Sequence, residues 1–244
     1  VLLPRRVRRQ AGTTLAGGSN GLGTVFRMSP IGEFASLYSF GRTMSTNGVA
    51  LDGARPFGKL VQGADGRLYG TTELGGTRDG GTVFKITTNG VFNSLYSFGA
   101  VTNSNGDRVD GANPQAGLAF GNDGNLYGTT AFGGTNEHGT IFKITTNGAR
   151  TTLYTFANTI NGASPQGALL KGADGNFYGS TFYGGPPGGG TLFSITPAGA
   201  FTSLHAFVGA LDGGRPKAGL LQGLDGSFYG SATVGGTNGG GGTL

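Results

Sequence analysis

Four tyrosines stand in nearly the same ten-residue phrase, and this repetition constrains the fold more than any other feature of the chain. The phrases read GADGRLYGTT, GNDGNLYGTT, GADGNFYGST and GLDGSFYGSA. Their tyrosines are Tyr69, Tyr127, Tyr178 and Tyr229, which are 58, 51 and 51 residues apart. Self-similarity at such a period indicates one supersecondary unit stacked several times along the chain.

Each unit contains an Asp-Gly pair between two apolar runs. Asp-Gly suits the positive-φ positions of a tight β-hairpin turn, so each pair is predicted to join two antiparallel strands. The predicted structural turn residues are Asp65, Gly66, Asp123, Gly124, Asp174, Gly175, Asp225 and Gly226.

The second full unit shows how the remaining strands are predicted. Residues 126–130 and 151–156 are rich in aromatic and β-branched residues, which favour strands. Residues 140–145 alternate between a polar-leaning face and an apolar one, which predicts a half-buried strand. No 3.6-residue periodicity is present, so no helix is predicted.

Four antiparallel strands in about 51–58 residues match a blade of a β-propeller, and we predict an all-β propeller, with a β-solenoid as the alternative. The predicted organisation is a disordered basic leader (1–12), a partial unit (13–51), units 52–109, 110–160 and 161–211, and a partial unit (212–244). Both partial units contain a second strand, so we expect an incomplete arc of a larger array, capable of edge-to-edge association if the chain is a fragment.

Charge and composition argue against several classes of partner and site. The net charge is +5, but four of the 17 basic residues are Arg5, Arg6, Arg8 and Arg9, and the rest nearly balance the 12 acidic residues. No basic stripe suited to nucleic acid is therefore expected. There are no cysteines and two histidines, so no metal or cofactor is predicted. No apolar run is long enough to predict a transmembrane segment.

The acidic residues divide into repeated and unrepeated positions. Seven lie in predicted turns, where Asp binds backbone N–H groups of its own turn. They are the hairpin aspartates Asp65, Asp123, Asp174 and Asp225, together with Asp52, Asp110 and Asp212. The unrepeated ones are Glu33, Glu73, Asp79, Asp107 and Glu137. His205 occupies a slot that is tyrosine in other units, and His138 lies alone in a loop. We therefore predict no catalytic residues.

The pattern DG-x-x-P…L-x-x-G-x-DG-x-x-YG-T-T-x-x-GG-x…GT-x-F-x-I-x-x-x-G spans nearly all of residues 13–244. It resembles the choice-of-anchor tandem repeat proteins called GloVer. The resemblance implies an exported bacterial protein, extracellular or held at the cell surface by one of several C-terminal sorting signals. It brings no catalytic or binding residues with it.

The expected function is therefore a non-catalytic, exported repeat scaffold that binds a surface glycan, polymer or protein. Variable stretches at 41–51, 99–109, 135–139 and 183–190 are the expected sites of contact, although the binding residues themselves are not predicted. One alternative is an extracellular carbohydrate-active enzyme, a glycoside hydrolase or lyase, which would need two carboxylates facing one pocket. The other is the sensor domain of a longer receptor.

Overall fold

The structure is a computed structural model that describes residues 10–236 and Gly242, and within them it is entirely β. The strands are β1 (Gln10–Thr14), β2 (Thr24–Met28), β3 (Phe34–Ser39), β4 (Val61–Gln62), β5 (Leu68–Thr72), β6 (Thr82–Ile86), β7 (Phe92–Ser97), β8 (Ala119–Phe120), β9 (Leu126–Thr130), β10 (Thr140–Ile144), β11 (Arg150–Thr155), β12 (Leu170–Lys171), β13 (Phe177–Thr181), β14 (Thr191–Ile195), β15 (Phe201–Ala206), β16 (Gly214–Pro216), β17 (Leu221–Gln222), β18 (Phe228–Tyr229) and β19 (Ala232–Val234). The first strand takes in 10–12, which the sequence assigned to the leader. The rest of that predicted leader, 1–9, lies outside the described residues.

The strands form successive antiparallel blades, which confirms the predicted four-stranded unit. Blade I contains β1–β3, blade II β4–β7, blade III β8–β11 and blade IV β12–β15, each paired in chain order. Blade V contains β16–β19, as the pairs β16–β19 and β17–β18. We call the side that holds the turns between first and second strands the hairpin face. The opposite side, which holds the loops between second and third strands and the connections between blades, is the loop face.

The hydrophobic core lies between blades. Phe142 of β10 belongs to a buried cluster that includes Phe98 of blade II, whereas Ile141 belongs to one that includes Phe193 of blade IV. Both side chains are fully buried. The prediction that this strand is half-buried is therefore wrong, because a neighbouring blade covers each of its faces.

Asp52 and Asp110, at the entrances to blades II and III, join blades rather than capping their own turns. Asp52, at the start of unit II, accepts a hydrogen bond from the Tyr38 hydroxyl of blade I at 2.7 Å and one from the Gly41 backbone N–H at 3.0 Å. Asp110 does the same for Tyr96 of blade II at 2.8 Å. The predicted role within their own turn is wrong, because the donors come from the last strand of the preceding blade and the loop after it.

A strained residue before proline forms a second joint between blades. Four such residues have φ near 55° and donate their backbone N–H to a carbonyl of the preceding blade. The donor and acceptor pairs are Arg55 with Leu22, Asn113 with Gly80, Ser164 with His138 and Arg215 with Gly189. Non-glycine residues rarely adopt this conformation, so its recurrence indicates that the joint stabilises it.

The segments that lead into the first strands of blades II and III approach so closely that a side chain does not fit. A Cβ atom on Gly58 would lie 2.2 Å from the backbone nitrogen of Gly117, and one on Gly117 would lie 2.5 Å from the carbonyl oxygen of Lys59. Glycine is required here for close approach of two backbones.

Candidate functional site

The predicted turn residues form the hairpin face, and their aspartates are occupied in bonds within the turn. Asp65 accepts hydrogen bonds from the Arg67 backbone N–H at 3.1 Å and the Tyr69 hydroxyl at 2.8 Å. Asp123, Asp174 and Asp225 bind Tyr127, Tyr178 and Tyr229 in the same way. Of the eight predicted hairpin residues, only the four glycines have positive φ. The aspartates keep negative φ, and their side chains close the turns.

These bonds shift the proton affinities of both partners. The hydrogen bond from Tyr178 lowers the pKa of Asp174. Burial and the hydrogen bond to Asp65 raise the pKa of Tyr69 to about 12. A carboxylate that is ionised and already bonded to a phenol is a poor general acid near neutral pH. The repeated aspartates of this face thus serve the turns.

A groove of about 590 Å³ opens on the loop face between blades III and IV. We call it the III–IV groove, and its polar and aromatic lining comprises Phe132, Glu137, His138, Asn158, Ser164 and Tyr183. Its volume falls within the roughly 300–1,000 Å³ typical of ligand sites. Two of the variable stretches, 135–139 and 183–190, meet there, although they are far apart in sequence.

Two aromatic side chains are exposed in this groove at the same position of neighbouring repeats. Phe132 follows the second strand of blade III and Tyr183 the second strand of blade IV, and they are 47% and 46% exposed. The matching residues of the other units are Ala16, Leu74 and Val234. Aromatic residues at this position are therefore a property of blades III and IV and not of the repeat.

Polar groups with free hydrogen-bonding capacity surround the two rings. Glu137 accepts a hydrogen bond from the Arg108 backbone N–H at 3.0 Å through one carboxylate oxygen. Within the part of the chain that the structure describes, the side chains of His138 and Asn158 and the Tyr183 hydroxyl are bonded to no protein group. The groove therefore offers uncommitted donors and acceptors beside the Glu137 carboxylate.

The unrepeated carboxylates do not assemble into a pair in this groove. Glu137 is the one carboxylate among its lining residues. Glu73 accepts from the Gln115 amide at 2.8 Å, Asp79 from the Gly75 N–H at 2.7 Å and Asp107 from the Asn103 amide at 2.7 Å. Strands β1–β3 of blade I correspond to the second, third and fourth strands of the unit. Glu33 therefore lies in a turn between third and fourth strands, on the same side as the turns between first and second strands, which is the hairpin face. A glycoside hydrolase needs two acids at one site.

The two histidines lie apart. His205 takes the tyrosine slot, packs edge-on against Phe207 and places Nε2 2.7 Å from Asp212 Oδ2, whereas His138 lines the III–IV groove. Over the described ranges, 10–236 and residue 242, no three acidic or histidine side chains are grouped as a metal ion would require. Nor do these ranges contain a helix able to cross a membrane.

Sequence reasoning missed Arg150. It occupies the place of Phe92 and Phe201 in other blades, where each phenyl ring stacks on a tyrosine of the preceding blade at 4.2 and 4.0 Å between ring centres. The Arg150 guanidinium lies 5.5 Å from the Tyr96 ring centre, and burial lowers its pKa. Its Nε and Nη2 atoms are buried and have no hydrogen-bond partner. A comparison of GVFNSLYSF with GARTTLYTF would have revealed the difference.

All units share the same sequence phrase, and the same kind of joint recurs between successive blades, so the chain is built from one type of repeat. A sequence profile described as the Gloeobacter/Verrucomicrobia repeat matches residues 11–107 and 100–244. The chain belongs to this repeat family. The matched segments of the Gloeobacter/Verrucomicrobia repeat run through all the blades. No curated protein matches the chain.

Solved structures show the same fold at low sequence identity. A structure titled glucose dehydrogenase is 15% identical, with a TM-score of 0.53 over 93% of this chain and 74% of its own. One from Bacteroides uniformis, assigned provisionally as a 6-phosphogluconolactonase, is 18% identical, with a TM-score of 0.52 over 88% of this chain and 58% of its own.

The extracellular domain of a protein from B. thetaiotaomicron, assigned provisionally as a hybrid two-component system, is 11% identical. Its TM-score is 0.53 over 86% of this chain. The Gloeobacter/Verrucomicrobia repeat chain spans about a quarter of that structure (24%). At these identities the likeness establishes the β-propeller fold, built of four-stranded blades, and leaves activity open.

Proposed function

We propose that this repeat protein is a non-catalytic scaffold that works outside the cell or at its surface and binds a glycan, polymer or protein partner on its loop face. One observation supports it above others: the acids shared by the repeats are bonded within turns and joints, whereas several side chains specific to blades III and IV, among them Phe132, His138 and Tyr183, line the III–IV groove together. Binding sites belong where a rigid repeated frame presents variable loops.

The proposed location follows from the resemblance to exported choice-of-anchor proteins. The similarity in fold to an extracellular domain from B. thetaiotaomicron agrees with it. Attachment to the surface through a sorting signal is part of the same proposal.

The alternative of a carbohydrate-active enzyme receives less support. Two proteins of similar fold carry the titles of sugar-related enzymes, but a fold hosts many functions. The III–IV groove provides Glu137 without a second carboxylate, so neither the retaining nor the inverting arrangement of two acids is available there.

The test combines binding with turnover. The purified chain is passed over immobilised polysaccharides of neutral and acidic type and over peptidoglycan, and each polymer is afterwards assayed for new reducing ends and for unsaturated products. We expect retention on at least one polymer without either product. Release of reducing ends or unsaturated products by the wild-type chain would overturn the non-catalytic proposal.

A further inference from the structure

We infer that the III–IV groove is a binding site for a neutral glycan, whose sugar rings stack on Phe132 and Tyr183 and whose hydroxyl groups bond to Glu137, His138 and Asn158. The inference rests on the proposed binding function, to which it adds a site and a ligand class. The two rings and the three polar groups line one groove of about 590 Å³.

The aromatic pair is the first observation that points to a ligand. Other units have alanine, leucine or valine at this position and still form their blades, so the fold does not require an aromatic ring there. Leaving Phe132 and Tyr183 nearly half exposed gives up stabilisation that burial would bring. Exposed apolar surface of this kind, rimmed by polar groups, is typical of binding sites.

Tyr183 is held in place before any ligand arrives. Its backbone exchanges two hydrogen bonds with Ala163, at 2.8 and 3.0 Å. Phe182 packs edge-on against its ring at 4.6 Å, and the Arg215 guanidinium lies over the ring at 5.7 Å. A ring ordered in the free protein loses little entropy on binding, which favours affinity.

The polar lining selects among ligand classes. Sugar hydroxyl groups donate and accept, so they match an amide, an imidazole and a phenol that have free bonding capacity. The residues that line the groove include neither lysine nor arginine, although the Arg215 guanidinium lies over the Tyr183 ring at 5.7 Å, and the Glu137 carboxylate in the lining repels a uronate or a phosphate. The combination of ring faces, uncommitted hydrogen-bonding groups and the Glu137 carboxylate therefore fits a neutral glycan better than an acidic polysaccharide or a nucleic acid.

The experiment measures binding of neutral oligosaccharides (glucan, mannan, xylan and chitin fragments) and of oligouronates to the purified chain by titration calorimetry. Phe132→Leu places in blade III the residue that blade II has, and Tyr183→Val places in blade IV the residue of blade V, so both variants should fold. Phe57→Leu is the control, because Phe57 is equally exposed (50%) and does not line the groove. Glu137→Gln tests the charge.

We expect at least one neutral oligosaccharide to bind and each groove variant to weaken it about tenfold or more, with Phe57→Leu unchanged. Glu137→Gln should raise the affinity for oligouronates relative to wild type. The inference is overturned if no neutral oligosaccharide binds, or if one binds and neither Phe132→Leu nor Tyr183→Val weakens it. In either case the scaffold proposal survives if an acidic polymer or peptidoglycan is retained, and it fails separately if the wild-type chain cleaves its ligand.

Discussion

The imidazole Nε2 of His205 lies 2.7 Å from the carboxylate Oδ2 of Asp212, at the place where two other blades pair a tyrosine hydroxyl with an aspartate. His205 belongs to the last strand of blade IV and Asp212 to the segment that enters blade V. The joint between blades is thus kept while its chemistry changes. The second oxygen of Asp212 also accepts the Val208 backbone N–H at 2.8 Å.

Asp212→Asn should make the free energy of unfolding depend less on pH between pH 2 and pH 6. Burial raises the pKa of Asp212, but the hydrogen bonds with His205 and Val208 outweigh it and lower that pKa below its ordinary value of 3.8. A lowered folded-state pKa contributes stability that is present above pH 3.8 and is lost as pH falls through the folded value. Urea unfolding between pH 2 and pH 6 measures this. A wild-type excess over the variant that does not shrink on acidification would contradict the assignment.

Tyr96→Phe should destabilise the joint between blades II and III, and the difference in unfolding free energy from wild type should vanish at high pH. The variant leaves buried Asp110 without its phenol donor, which costs about 1–3 kcal/mol at pH 8. Burial and the hydrogen bond to Asp110 raise the pKa of Tyr96 to about 12 from 10.0. The wild-type advantage is therefore complete below pH 10 and declines as pH rises toward 12. Denaturant unfolding at several pH values, with the exposed Tyr183→Phe as control, gives the comparison.

Arg150→Phe should stabilise the protein by about 1–3 kcal/mol. The change removes two buried nitrogen atoms that have no partner and restores the ring found at the matching joints. Phe92→Arg is the matched reverse substitution and should destabilise the joint between blades I and II. Thermal and urea unfolding of both variants test the pair. A less stable Arg150→Phe protein would indicate that the contacts of the guanidinium with Tyr96, Phe98 and Phe142, together with its attraction to the buried Asp110 carboxylate, outweigh its desolvation.

Gly117→Ala should cost about 1–3 kcal/mol, because the new methyl group would meet the carbonyl oxygen of Lys59 at 2.5 Å and backbone cannot rotate away as a side chain can. Ala168 holds the matching position in blade IV, so Ala168→Gly is the control and should change stability by about 1 kcal/mol or less. Equal effects of the two substitutions on the free energy of unfolding would argue against close packing of the segments that lead into the first strands.

The local features of the fold were predictable because they depend on residues close together in the chain. The strands at 126–130 and 140–144 follow from β-branched and aromatic residues between turn signals, and the Asp-Gly pairs mark the hairpins. The predicted four-stranded unit is found in blades II, III and IV. Even within the turn, however, the sequence allowed two roles for Asp65: a residue with positive φ, or one whose side chain closes the turn. The structure has the second, in which the Asp65 carboxylate accepts the Arg67 backbone N–H.

The candidate site was only partly foreseen. Variable stretches 135–139 and 183–190 were named as contact regions, and both line the III–IV groove. Phe132 was not predicted as a contact residue, although it is 47% exposed and lines the groove together with Tyr183. It lies outside the variable stretches, and its significance depends on the neighbouring blade.

By itself, the sequence determined the repeat unit, its four strands and the hairpins that join them, since these depend on interactions within about ten residues. Only the tertiary structure decided which faces are buried and which residues meet. Ile141 is buried because blade IV covers it, and Asp52 serves blade I because Tyr38 reaches it across the joint. His205 likewise becomes a hydrogen-bonding partner only when Asp212 is placed against it. Such contacts depend on how successive blades stack, and no local pattern of residues specifies that stacking.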